Sequence, residues 1–100
     1  MSMANLQRMA AQMQRDMARV QEELDHAVVE GSAGGVVRAT VSGRQELLSI
    51  VIDPSAVDPA DVDMLQDLVL TAVNDALKAS RDLAETKMAA VTGGMRLPGM

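Results

Sequence analysis

The chain has no phenylalanine, tyrosine or tryptophan among its 100 residues. Single-stranded nucleic acid and RNA are usually gripped by stacking bases on aromatic rings, so this absence argues against a stacking reader of exposed bases. Cysteine is also absent, which removes disulfides and thiol chemistry and fits a reducing cytosol. The one histidine, His26, lies near Asp25 and Glu30. A metal site needs further ligands at defined spacing, so His26 reads as a helix-end polar residue. A Cys-His pair is impossible without cysteine, a Ser-His-acid triad would have only this one histidine to draw on, and nothing supports catalysis. Long apolar runs are missing too. The amino-terminal segment is interrupted by Arg8, Arg15 and Arg19, as neither a signal peptide nor a membrane span would be, and a soluble cytoplasmic chain is expected. Gly34-Gly35 lacks the Lys-Ser or Lys-Thr of a phosphate loop. Asp58, Asp61 and Asp63 lack the glycine and terminal glutamate of a calcium hand. No cofactor or metal is implied.

Positive charge is scarce overall but unevenly placed. The formal net charge is −5, yet residues 1–21 carry +2, residues 22–75 carry −9 and residues 76–100 carry +2. Phosphate neutralisation needs local rather than global positive charge. The distribution therefore leaves nucleic acid open as a partner.

What is present is a single domain whose core must come from Val, Leu, Ile, Ala and nine Met. Met3, Leu6, Ala10, Met13, Met17, Val20, Leu24 and Ala27 alternate three and four residues apart. This heptad seam predicts a helix over residues 3–27 that meets one partner helix along a narrow stripe. Gln7, Gln14 and Gln21 mark one flank of the seam, and Met9, Asp16 and Glu23 the other. Val28-Val29-Glu30 leads into Gly31-Ser32-Ala33-Gly34-Gly35, whose glycines permit a turn. Val37, Ala39 and Val41 alternate with polar residues, and Leu48, Ile50 and Ile52 repeat the pattern after Gly43-Arg44-Gln45. Two or three antiparallel strands follow, the last stopped by Pro54. A second helix is predicted with Asp58 as N-cap and Pro59 at its first position, running to about Val91 before Gly93-Gly94. Its apolar arc is wide at first, and Ser80 and Lys87 later interrupt it. At the usual rise such a helix would be about 50 Å long, too long for a compact domain of this size with a diameter near ~35 Å. Either an elongated α+β molecule or a second copy that supplies the missing surface is expected.

The ordered set Met13-Gln14, Gln21-Glu22-Glu23-Leu24, Gly31 to Val37, Ile52-Asp53-Pro54-Ser55, Leu65-Gln66-Asp67-Leu68-Val69, Asn74-Asp75-Ala76, Lys87-Met88-Ala89 and Gly94-Met95-Arg96-Leu97-Pro98-Gly99 resembles the YbaB/EbfC family of small bacterial nucleoid-associated proteins. The likeness covers nearly the whole chain. It implies an αββ(β)α domain over residues 1–92, a flexible Gly/Pro/Met tail over 93–100, and a homodimer with helical arms. It further implies binding to double-stranded DNA in the nucleoid and no enzymatic activity. The matching motifs look structural, so candidate contacts come from charge instead. Arg8, Arg15 and Arg19 on the first helix, Lys78, Arg81 and Lys87 on the second, and Arg96 on the tail are the expected phosphate contacts, with low sequence selectivity. The ordinary alternative is a solvated face with intrahelical pairs, such as Arg15 or Arg19 with Glu22 or Glu23.

Ile50, Ile52, Leu65, Leu68, Val69 and Val73 are expected at the dimer interface. Asn74 and Asp75, indifferent helix formers, suggest a hydrogen bond to another element. The methionines allow a rival reading, a non-enzymatic protein-interaction scaffold that clamps a partner between Met-lined arms. Met3, Met13 and Met17 nevertheless fall in the heptad register, which favours packing.

Overall fold

A computed structural model describes residues 2–93. Helix α1 spans Met3–His26, strands β1, β2 and β3 span Val28–Ala33, Val37–Ser42 and Leu47–Ile52, and helix α2 spans Val62–Thr92. The strands form one antiparallel sheet in the order β1-β2-β3. Ser2 caps α1 by accepting the Asn5 amide hydrogen at 3.2 Å. β1 runs through Gly31, Ser32 and Ala33, beyond the residues given to it from the sequence. The turn spans residues 34–36, and at Gly34 and Gly35 φ values of 59° and 69° favour glycine. After β3, the Asp53 amide donates to the Val36 carbonyl at 2.7 Å, and Pro54–Ala56 form one 3₁₀ turn.

The start of α2 differs from the expected cap. Asp58 instead closes a turn, its side chain accepting the Ala60 amide and its carbonyl accepting the Asp61 amide, both at 2.9 Å. Asp61 is the N-cap and takes the Met64 amide at 3.2 Å. Two Asp residues three apart can each cap, and the one preceding the continuous helix wins.

α2 packs along one face of β1 and β2. Ala72, Ala76 and Ser80, each one turn apart, are its buried residues. Opposite them lies Gly31: a β-carbon placed there would sit 2.5 Å from the Ala72 carbonyl oxygen and closer still to the Ala76 nitrogen. The hydroxyl of Ser80 donates to the Ser42 carbonyl at 2.8 Å, so the polar interruption in the apolar arc is satisfied at the end of β2. Asp75 accepts the Ser32 amide at 3.1 Å, the link to another element expected of this pair, made within the chain to β1. Ala33, Val37, Ala39, Val41, Ala72 and Ala76 form the buried cluster, bordered by Val29, Val36, Leu68, Val69, Val73 and Leu77.

α1 is seated at one point. Gly43 lies under its last turn, where an added β-carbon would be 2.5 Å from the Leu24 carbonyl oxygen, and the Gly43 amide donates to the Ala27 carbonyl at 3.0 Å. Val20 and Leu24 are buried, and Lys87 of α2 reaches Glu23, so the helices run side by side in opposite directions. Overlapped at that point and drawn at the helical rise, they reach about 68 Å end to end. The longest dimension is 70 Å, and the radius of gyration is 19.7 Å against about 13 Å for a compact chain of this length.

The alternation in β3 had suggested a half-buried strand. All six of its residues are exposed instead. Ile50 and Ile52 pair with Ala39 and Val37 and so share their face, but α2 lies over β1 and β2 and leaves that part of the sheet bare.

Gly31→Ala should cost about 3 kcal/mol, because backbone rather than a flexible side chain must give way. Gly35→Ala, which meets no atom within 4 Å and bears only the left-handed penalty, should cost about 1–2 kcal/mol. Urea denaturation of both variants checks the order, and equal losses would contradict the seating described here.

Candidate nucleic-acid interface

Three of the candidate cations belong to one chain of contacts. The Arg15 guanidinium donates to Gln12 Oε1 at 2.7 Å, and Gln12 Nε2 donates to Asp16 Oδ1 at 2.9 Å. Asp16 Oδ1 lies 3.2 Å from Arg19, whose Nε is 3.8 Å from Glu23 Oε1. Glu23 Oε2 then takes a 2.9 Å hydrogen bond from Lys87 Nζ. α1 presents every member but the last, through i, i+3 and i, i+4 spacings. Only Lys87 crosses from α2. Its hydrogen bond, followed by its charge, holds the Glu23 carboxyl below the usual carboxylate range, and Arg19 adds a smaller pull.

The other candidates lie elsewhere. Arg8 is exposed on α1 nearer its free end, with no ion pair among the described residues. Lys78 pairs with Asp82 at 3.0 Å. It and Arg81 flank the buried Ser80 at the level of the sheet, not toward the end of the arm. Arg96 falls outside the described residues. Arg19 and Lys87 are therefore brought together, Arg8 and Arg15 extend the row outward, and Lys78 and Arg81 stand apart.

The ordinary alternative is partly realised. Arg19 pairs with Asp16 and Glu23 on its own helix, whereas Glu22 makes no ion pair among the described residues. The 64-residue contact from Glu23 to Lys87 was missed from sequence. A signal for it existed: Glu23 sits on a flank of the heptad seam, where interhelical ion pairs form.

Overlapping helices separate charge along the molecule. Asp58, Asp61, Asp63 and Asp67 surround the start of α2, and Arg8 lies near the start of α1. Along the axis these groups are about 60 Å apart. The screening length at physiological salt is about 8 Å, so the acidic end does not cancel the basic one. The net charge of −5 is no measure of the field at the arm.

The apolar candidates divide as well. Leu68 contacts the turn at Gly34, its Cδ2 lying 3.3 Å from where a β-carbon would be, and it borders the chain's own core with Val69 and Val73. Leu65, Gln66, Val69, Leu70 and Val73 line a shallow notch of about 460 Å³ on α2. Ile50 and Ile52 lie on the bare part of the sheet. Along α1, Met13 and Met17 are half-buried, while Met3 is 71% exposed beyond the end of α2.

Comparison with known proteins places this arrangement. The model of the YbaB/EbfC DNA-binding family matches residues 1–95. The chain belongs to that family. A Moorella thermoacetica relative named nucleoid-associated protein is 55% identical over 103 residues, covering 99% of both chains. One of the same name from Roseiflexus castenholzii is 48% identical over 99 residues, again covering 99% of both. The crystal structure of an uncharacterised Helicobacter pylori protein superposes with a TM-score of 0.71 at 22% identity, covering 96% of this chain and 99% of that one. At that identity the likeness speaks for the fold alone. Among the described residues of this YbaB/EbfC chain, no helix is long and apolar enough to cross a membrane.

The Glu23–Lys87 pair carries a pH signature. A depressed folded-state pKa means that the pair's contribution is present above the unfolded value and lost as pH falls through the folded one. Lys87→Met should return the Glu23 titration toward the ordinary carboxylate range, followed by carboxyl-carbon NMR. An unchanged titration would show that the pair does not form in solution.

Proposed function

We propose that this chain is a nucleoid-associated protein that binds double-stranded DNA as a homodimer, through phosphate contacts of low sequence selectivity. Membership of the DNA-binding family carries the reading, and the names of the bacterial relatives support the nucleoid as its place. Arg8, Arg15, Arg19 and Lys87 on the arm are the phosphate contacts that the geometry favours. Helices carrying long cations, with no aromatic wedge or stacking ring, suit the outside of a duplex better than its bases. Lys78 and Arg81, at the level of the sheet, contribute by proximity when duplex lies along α2. Arg96 belongs to the same proposal through its charge. The function requires binding alone, with no cofactor and no chemical step.

The dimer rests on the meagre core. Val37, Val41 and Ser80 are the largest fully buried side chains, and a sheet covered over β1 and β2 alone leaves Ile50 and Ile52 in water. A second copy laid on β3 and the Leu65–Val69–Val73 side of α2 would bury both surfaces and set two basic arms apart, able to hold duplex between them. Ile50→Asp should then shift sedimentation from a dimer toward a monomer. Unchanged sedimentation would remove β3 from the interface.

Fluorescence anisotropy of a labelled duplex of 30 base pairs, titrated at several salt concentrations, tests the DNA reading. Log affinity should fall linearly with log salt at about −0.9 per phosphate contact. Arg8→Glu with Arg15→Glu should weaken binding by about tenfold or more. An absence of wild-type binding at low salt would overturn the reading. Binding untouched by the charge reversal would move the contacts off the arm.

A further inference from the structure

Glu23 touches two of the cations that the DNA reading needs. Lys87 Nζ is 2.9 Å from Oε2, and Arg19 Nε is 3.8 Å from Oε1. The carboxylate is itself exposed, at 44% for its side chain, so it stands in the solvent layer that a phosphate would enter. We infer that Glu23 is an internal competitor for phosphate, holding Arg19 and Lys87 in the absence of DNA and setting how tightly the arm binds. The inference rests on the proposed DNA function.

The chemistry follows from what each oxygen accepts. A phosphate oxygen and a carboxylate oxygen take the same charge-assisted hydrogen bonds from guanidinium and ammonium groups. Glu23 is fixed to α1 close to both cations, so binding DNA must either displace it or leave its negative charge facing phosphate. Either outcome lowers affinity. Exposed ion pairs are weak, which makes this a brake that DNA overcomes. Asp16, 3.2 Å from Arg19, acts in the same sense on one cation only. The same Glu23–Lys87 contact ties α2 to α1 beside the buried Val20 and Leu24. One group thus joins the two helices of the arm and tempers their charge.

The duplex titration is repeated with Glu23→Gln, Asp16→Asn and Glu22→Gln. Each substitution changes net charge by the same amount. Glutamine at 23 retains an oxygen that can accept from Lys87, so the helix pair is preserved. Glu22 makes no ion pair among the described residues and controls for overall charge. Glu23→Gln should bind about three- to fivefold tighter than wild type, with a salt slope steeper by about one phosphate. Asp16→Asn should show a smaller gain, and Glu22→Gln almost none. Equal gains in Glu23→Gln and Glu22→Gln, or no gain in Glu23→Gln while wild type binds, would overturn the competitor and leave the DNA reading intact. Failure of all four proteins to bind at low salt would overturn both.

Discussion

Everything in this molecule hangs from two places where backbone meets backbone with no side chain between. At Gly31 the strand passes under the Ala72–Ala76 turn of α2, and at Gly43 the turn after β2 passes under the last turn of α1. A helix resting this close to a sheet gains dispersion contacts from main-chain atoms, which helps a core with no aromatic ring and few large aliphatics. The close approach also fixes direction. α2 is held by three small residues one turn apart, Ala72, Ala76 and Ser80, with the Ser80 hydroxyl fastened to the Ser42 carbonyl. Among the described residues, α1 has buried side chains at its carboxy-terminal turns alone, Val20 and Leu24 above Gly43, and the rest of it leaves the body as an arm. The acidic start of α2 and the basic start of α1 consequently lie at opposite ends of a 70 Å molecule.

That separation resolves the conflict between an acidic composition and a polyanionic partner. Over distances several times the screening length, charges act locally. The arm presents Arg8, Arg15, Arg19 and Lys87 to whatever approaches it, and the Asp-rich end faces elsewhere. Within the arm, cations and carboxylates alternate along one string of contacts from Arg15 to Lys87. A basic surface laced with its own counter-ions binds anions weakly and releases them readily. Such behaviour suits the DNA binding of low sequence selectivity proposed for this chain.

Much of the architecture was legible from residue pattern. The heptad seam gave α1 to within one residue, because two-sevenths periodicity over eight positions has few other meanings. The alternation of Val37, Ala39 and Val41 placed β2, and the length of the second helix ruled out a compact single chain. Three features escaped. Asp58 was taken for the cap because Pro59 follows it, yet Asp61 fits the same chemistry and stands next to the continuous helix. Gly31 was read as part of a turn, although glycine inside a strand also marks close approach by another backbone. The Ala72–Ala76–Ser80 stripe was its partner in the sequence. β3 alternates like a half-buried strand but is bare in the single chain, since periodicity reports what a face can pack against and not whether its partner is the same molecule. Charge in the sequence supplied the candidate cations. It could not say that Arg19 and Lys87 share a carboxylate while Lys78 and Arg81 sit beside the sheet, because that depends on how the two helices overlap.

The central proposal is that DNA is met by the basic arm and not by the acidic end of the molecule. Amide chemical-shift mapping during titration with an unlabelled duplex tests it directly. The perturbed residues should fall on α1 from about Asn5 to Glu23 and on α2 from about Lys78 to Thr92, with Asp58 to Asp67 unmoved. Perturbations centred on the start of α2 or on the outer strands, with the arm silent, would contradict it.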